Sequence, residues 1–125
     1  MNNGLNLFEN NYFDLVTAFD LIEHLDSPYK FLKECHRVLK IGGKVVLTTP
    51  NLGALARLLI KDKWHGFKDK THKYLFTPKS LEFLFKRSGF KIVRLETPFH
   101  PLPKFIKPFL NKTGLGGQIW IVGEK

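Results

Sequence analysis

Phe13-Asp14-Leu15-Val16-Thr17-Ala18-Phe19, then Asp26-Ser27-Pro28, then Lys44-Val45-Val46-Leu47-Thr48-Thr49-Pro50: these three stretches decide the fold. The first is short, apolar and β-branched, as a buried parallel strand should be. The second announces a helix, because Asp26 or Ser27 can cap it and Pro28 suits its first position. Phe31, Leu32, Cys35, Val38 and Leu39 recur at helical spacing and give that helix one apolar face, with His36 pointing out. Gly42-Gly43 stop it. The third stretch is a second strand, closed by Pro50. Strand, helix and strand with such short joints form a βαβ unit, which implies a parallel pair with a right-handed crossover.

Further along, 52–60 reads as a short amphipathic helix, and 61–73 as a basic loop holding Trp64, His65 and Phe67. Thr77-Pro78 opens another helix, with Leu81, Leu84 and Phe85 inward and Gly89 at its end. Strands are expected at 90–95 and 118–122. Between them, 97–112 mixes Pro98, Pro101, Pro103 and Pro108 with large apolar residues and three lysines. That stretch reads as a long crossover on the sheet or a segment lying on a lipid surface, although four prolines spoil a continuous interfacial helix.

Composition sets bounds. The chain has 125 residues, enough for one small domain, and its 12 Phe make an aromatic-rich core. No apolar run reaches the roughly 18–20 residues that span a bilayer. The first residues, Met1-Asn2-Asn3-Gly4, have neither a basic nor an apolar leader region. The lone Cys35 excludes an internal disulfide and a cysteine metal cluster, and fits a reducing, cytoplasmic setting. The net charge of +9 is uneven. Residues 57–112 carry 14 Lys plus Arg against Asp62, Asp69, Glu82 and Glu96. Such a segment attracts polyanionic partners or is a solvated lysine surface.

Four ordered motifs carry a resemblance. They are Phe13-Asp14-Leu15-Val16, Leu21-Ile22-Glu23-His24-Leu25, Leu39-Lys40-Ile41-Gly42-Gly43 and Thr49-Pro50-Asn51. Together they resemble class I S-adenosylmethionine-dependent methyltransferases of the ubiquinone-biosynthesis type, with Ile41 where that family usually has Pro. His72-Lys73-Tyr74-Leu75-Phe76-Thr77-Pro78 and Ser88-Gly89-Phe90 also look like that family. The resemblance implies an α/β, Rossmann-like sheet of which this chain holds strands four to seven, the last antiparallel. Residues 1–125 would then be a single partial methyltransferase domain. Strands one to three and the glycine-rich turn that holds the cofactor have no counterpart in the sequence. Gly114-Leu115-Gly116-Gly117 precedes a strand, whereas that turn must follow one and open a helix. Strand Phe13–Phe19 would be left with a bare edge, so a missing N-terminal segment or self-association is expected.

The resemblance also implies the site. Ala18, Phe19 and Asp20 would contact S-adenosylmethionine, and Glu23 and His24 would act on the methyl acceptor. Asp20, Glu23 and His24 are spaced i, i+3, i+4, which puts them on one side of a helical turn. With His72 they make a candidate site for magnesium, manganese or zinc. Asp20 stands where the resembling families have Glu, one methylene longer. The same Glu23-His24 pair in a metal-free role, or in a structural one, is the alternative. The expected activity is O-methyl transfer to a small molecule, a sugar or a lipid-linked acceptor. Metal-dependent 2′-O-methylation of RNA and a non-catalytic, methyltransferase-like partner subunit are the competing readings.

Overall fold

The computed structural model describes residues 4–54, 70–98 and 116–125. Its regular elements are strand β1 (Phe13–Phe19), helix α1 (Pro28–Val38), strand β2 (Leu39–Pro50), helix α2 (Pro78–Arg87), strand β3 (Lys91–Glu96) and strand β4 (Gln118–Glu124). Short 3-10 turns cover Gly4–Leu7 and Ile22–His24. The expected helix at 52–60, most of the loop with Trp64, His65 and Phe67, and the proline-rich stretch with His100 lie largely outside the described residues. Leu52 and Gly53 themselves form a turn.

The sheet order is β1-β2-β4-β3. β1 and β2 are parallel, with Val16 beside Val45 and Ala18 beside Leu47. β4 runs antiparallel to both β2 and β3, which makes β1, β2 and β3 mutually parallel. Among the described residues β1 has a hydrogen-bonded neighbour on one side only. Its exposed apolar side chains include Leu15 at 54% and Phe19 at 58%, with Leu7 and Tyr12 nearby.

Alternation along the strands divides the sheet into two faces. Ala18, Val45, Leu47, Ile119 and Ile121 point to one face, where Phe31, Leu32 and Cys35 of α1 and Leu81 and Phe85 of α2 complete the core. Phe85 lies so close to Gly123 that a Cβ there would sit 2.8 Å from its ring, so that strand position needs glycine. The opposite face carries Val46, Thr48, Trp120 and Val122, with Trp120 45% exposed.

α1 begins as its sequence announces. The Ser27 side chain accepts from Lys30 N and Pro28 occupies the first turn. Its end differs from expectation. The helix stops at Val38, and Leu39 already belongs to β2, which starts five residues earlier than the apolar run suggests. Gly42, at φ +79, turns the chain inside that strand rather than ending the helix. Lys125 fixes this corner, its ammonium donating to the Leu39 carbonyl at 2.8 Å and to Asn11 Oδ1 at 2.8 Å, next to the negative end of α1. Arg37 ties the N-terminal residues to the same helix, donating to the carbonyls of Leu5 and Phe8 and to Glu34. His36 does not point out as expected. Its ring meets Phe90 edge-on at 5.2 Å and lies over Gly89, whose φ of +103 requires glycine. Burial, then the nearby Lys125 and Lys33 charges, hold the His36 imidazole below its usual range. Burial also pushes the Cys35 thiol up to about 12, which leaves it an inert packing group.

Candidate active site

β1 and β2 both end where the chain leaves the sheet, and that carboxyl end is where parallel α/β folds place their chemistry. Asp20 follows β1 directly, in the left-handed region at φ +47. The chain then makes the Ile22–His24 turn, which buries Ile22 and Glu23. The next approach comes from the far side. Lys73 N and Tyr74 N donate to the Glu23 carbonyl at 2.8 and 3.1 Å, which straps the extended segment 71–76 across the turn. The Tyr74 hydroxyl donates to the Asp26 carbonyl at 3.0 Å. The Lys73 ammonium bonds the Asp26 carboxyl and holds it below the usual carboxylate range. That strap delivers His72.

Glu23, His24 and His72 therefore converge, each offering a ligand atom within 4.8 Å of the others. Glu23 is 1% exposed. The Thr49 hydroxyl donates to its Oε2 at 2.9 Å. Its Oε1 is buried without a hydrogen-bond partner, and faces Nε2 of His24 at 3.9 Å and Nε2 of His72 at 4.0 Å. The two imidazoles lie 4.7 Å apart between ring centres. His24 Nδ1 sits 3.2 Å from the Thr71 carbonyl and 2.9 Å from the Thr71 hydroxyl. With Nδ1 engaged by Thr71, Nε2 is the His24 nitrogen that faces Glu23.

Asp20 is not part of this cluster. Its Oδ1 accepts from Gln118 Nε2 at 2.9 Å and from the Thr48 hydroxyl at 3.3 Å. The reason lies in the strand. Thr48 and Thr49 are consecutive in β2, so their side chains leave opposite faces of the sheet. One holds Asp20 and the other holds Glu23. The i, i+3, i+4 spacing would gather Asp20 and Glu23 on a continuous helix, but the helical turn starts only at Ile22. Ala18 is buried against the core, while the Phe19 ring is exposed on the Thr48 side. Thr49 and Thr71 hold two of the three clustered groups, and the sequence assigns neither a site role: Thr49 enters only through its strand and the Thr49-Pro50-Asn51 motif. A visible signal for Thr49 is the pair of hydroxyls closing an otherwise apolar buried strand, because a buried hydroxyl needs a partner.

A buried acceptor with no donor is costly, and two imidazole nitrogens facing it make a donor set suited to a divalent cation. The residues present fit such an ion. A family profile described as a methyltransferase domain matches residues 3–95, well over half of the chain. The chain belongs to the class I S-adenosylmethionine-dependent methyltransferases. The chain is 41% identical over 46 residues to the ubiquinone biosynthesis O-methyltransferase of Pseudomonas paraeruginosa, a match covering 37% of this chain and 20% of that protein. The corresponding Pseudomonas putida protein is 38% identical over 47 residues, covering 38% of this chain and 20% of its own length. Solved structures share the fold. A methyltransferase from Archaeoglobus fulgidus superimposes with a TM-score of 0.70 at 22% identity, covering 97% of this chain and 63% of that one. One from Thermotoga maritima gives 0.70 at 21%, covering 94% and 58%. The chain thus spans less than two thirds of the length of each of these relatives. Among the described residues, no helix is long and apolar enough to cross a membrane.

Proposed function

We propose that this chain carries the acceptor side of an S-adenosylmethionine-dependent O-methyltransferase, acting on a hydroxyl of a small molecule, a sugar or a lipid-linked acceptor. The observation that carries the reading is the buried Glu23 Oε1, left without a donor and faced by His24 and His72 at the carboxyl end of the strands. The oxygen-directed part of the reading draws on the ubiquinone-type relatives. The chain contributes one part of the domain. Its sequence has no glycine-rich turn opening a helix after a strand, so another segment supplies that wall of the cofactor site. The exposed Phe19 ring and the Asp20 backbone, just past the end of β1, form the wall on this side, with Ala18 beneath them.

Methyl transfer is an in-line displacement in which the sulfonium methyl passes to the acceptor oxygen and the acceptor proton departs. Glu23 and His24 take the role of orienting that hydroxyl and accepting its proton, with His72 closing the site from the strap. Magnesium, manganese or zinc held by Glu23 Oε1, His24 Nε2 and His72 Nε2 would make the hydroxyl more acidic. Glu23 is itself 1% exposed, so its carboxyl group is shielded from bulk water.

The test uses the polypeptide that carries this chain, labelled S-adenosylmethionine and a panel of phenols, sugars and RNA oligomers, with the methylated atom identified. Label on an acceptor oxygen is expected, and Glu23→Gln should lower the rate by about 10²–10⁴-fold, the usual worth of an acid–base group. Label on nitrogen or carbon only, or a Glu23→Gln variant with the full rate, overturns the reading.

A further inference from the structure

We propose that Thr49 is a positioning residue: its hydroxyl fixes the Glu23 carboxyl group so that Oε1, and not Oε2, is presented to His24 and His72. This rests on the reading that those three groups work together at a divalent cation.

The geometry is specific. A hydroxyl has one hydrogen to give, and Thr49 gives it to Oε2 at 2.9 Å. Thr49 is 1% exposed and lies in β2, where it pairs with Ile119 of β4 and directly follows Thr48, the last β2 residue paired with β1, so the strand fixes its place. As a β-branched residue it has little χ1 freedom. Glu23 is held at its backbone, where its carbonyl accepts from Lys73 and Tyr74. Its side-chain torsions are then the remaining freedom, and the Thr49 bond restrains them. The free oxygen that results lies nearly equidistant from the two Nε2 atoms, at 3.9 and 4.0 Å. His24 is aimed in the same manner, by Thr71 at its Nδ1. Outer partners of this kind orient a ligand without touching the ion, and their removal typically weakens metal binding by about 10- to 100-fold.

The experiment titrates Co²⁺ into the full chain and follows the visible absorption of the bound ion, with a thermal melt of every variant to establish folding. Thr49→Val removes the hydroxyl at nearly constant volume. Thr49→Ser and Thr49→Ala both lose the methyl group and differ from each other only by the hydroxyl. The Ser and Ala pair therefore isolates the hydroxyl even if the Val variant does not fold. Wild type is expected to bind, Glu23→Gln to bind weakest, Thr49→Val and Thr49→Ala to lose about 10- to 100-fold in affinity, and Thr49→Ser to stay near wild type. Equal affinities of Thr49→Ser and Thr49→Ala, or a Thr49→Val variant binding like wild type, overturn the positioning role alone. A wild-type chain that gives no Co²⁺ band while folded overturns the cation reading, and the positioning role with it.

Discussion

Replacing Glu23 with Gln should stabilise the metal-free protein. Glu23 is 1% exposed, and its Oε1 has no donor, so the native fold carries the cost of an unmet buried acceptor. Such a group costs about 1–3 kcal/mol. The amide keeps an oxygen for the Thr49 hydroxyl and removes the donor-less Oε1, putting in its place an NH₂ that faces the His24 and His72 rings. Unfolding entropy of about 2.1 cal/mol/K per residue gives about 0.26 kcal/mol/K for 125 residues, so each kcal/mol moves the midpoint by about 4 °C. The expected rise is about 4–12 °C, read by calorimetry at neutral pH with a chelator present. With a divalent ion at about 1,000 times the wild-type dissociation constant the order should reverse, because wild type then gains about 4.1 kcal/mol, more than the about 1–3 kcal/mol at issue, and the weakly binding variant gains far less. A chelated Glu23→Gln protein that melts at or below wild type would show that Oε1 is already satisfied, and would refute the argument from the orphaned oxygen.

Two further outcomes follow from the fold. Because burial and neighbouring lysines lower the His36 pKa, the unfolded chain takes up that proton first as pH falls. Stability present above the ordinary His value, about 6.5, should therefore decline from there down through the lowered folded value, and His36→Gln should flatten that part of a melting profile recorded from pH 7.5 to 4.5. At the sheet edge, the exposed apolar side chains of β1 should drive self-association of the isolated chain, which Leu15→Lys should reduce, since a charge blunts an open edge. A monomer at tens of micromolar in sedimentation velocity would count against this.

Much of this architecture is visible in the chain itself, for local reasons. Ser27-Pro28 and Thr77-Pro78 mark helix starts because caps and proline act within one turn, and both helices begin there. The apolar runs at β1 and β4 mark strands because a buried strand has few other compositions. The first residue of β2 is not visible in this way. Leu39 fits the helical spacing of Val38, yet sheet pairing with Phe13 claims it. The separation of Asp20 from Glu23 is also hidden. It depends on a left-handed residue at Asp20, which no glycine announces, and on which face of β2 each threonine uses. The convergence of His72 with Glu23 is expected from the resemblance, whereas the hydrogen bonds that bring it about run through backbone amides at Lys73 and Tyr74, which leave no mark in residue type.

Thr48 and Thr49 make the end of β2 a partition between two carboxyl groups only three residues apart in sequence. Each threonine answers to a different compartment, one shared with Gln118 and Trp120, the other with the histidines. Substitutions on one side can therefore accumulate without disturbing the other. A single inserted or deleted residue upstream in the strand is another matter, because it would exchange the two compartments at once and hand each carboxyl group a neighbour of the wrong kind. The length of β2 is thus under a stricter constraint than its composition.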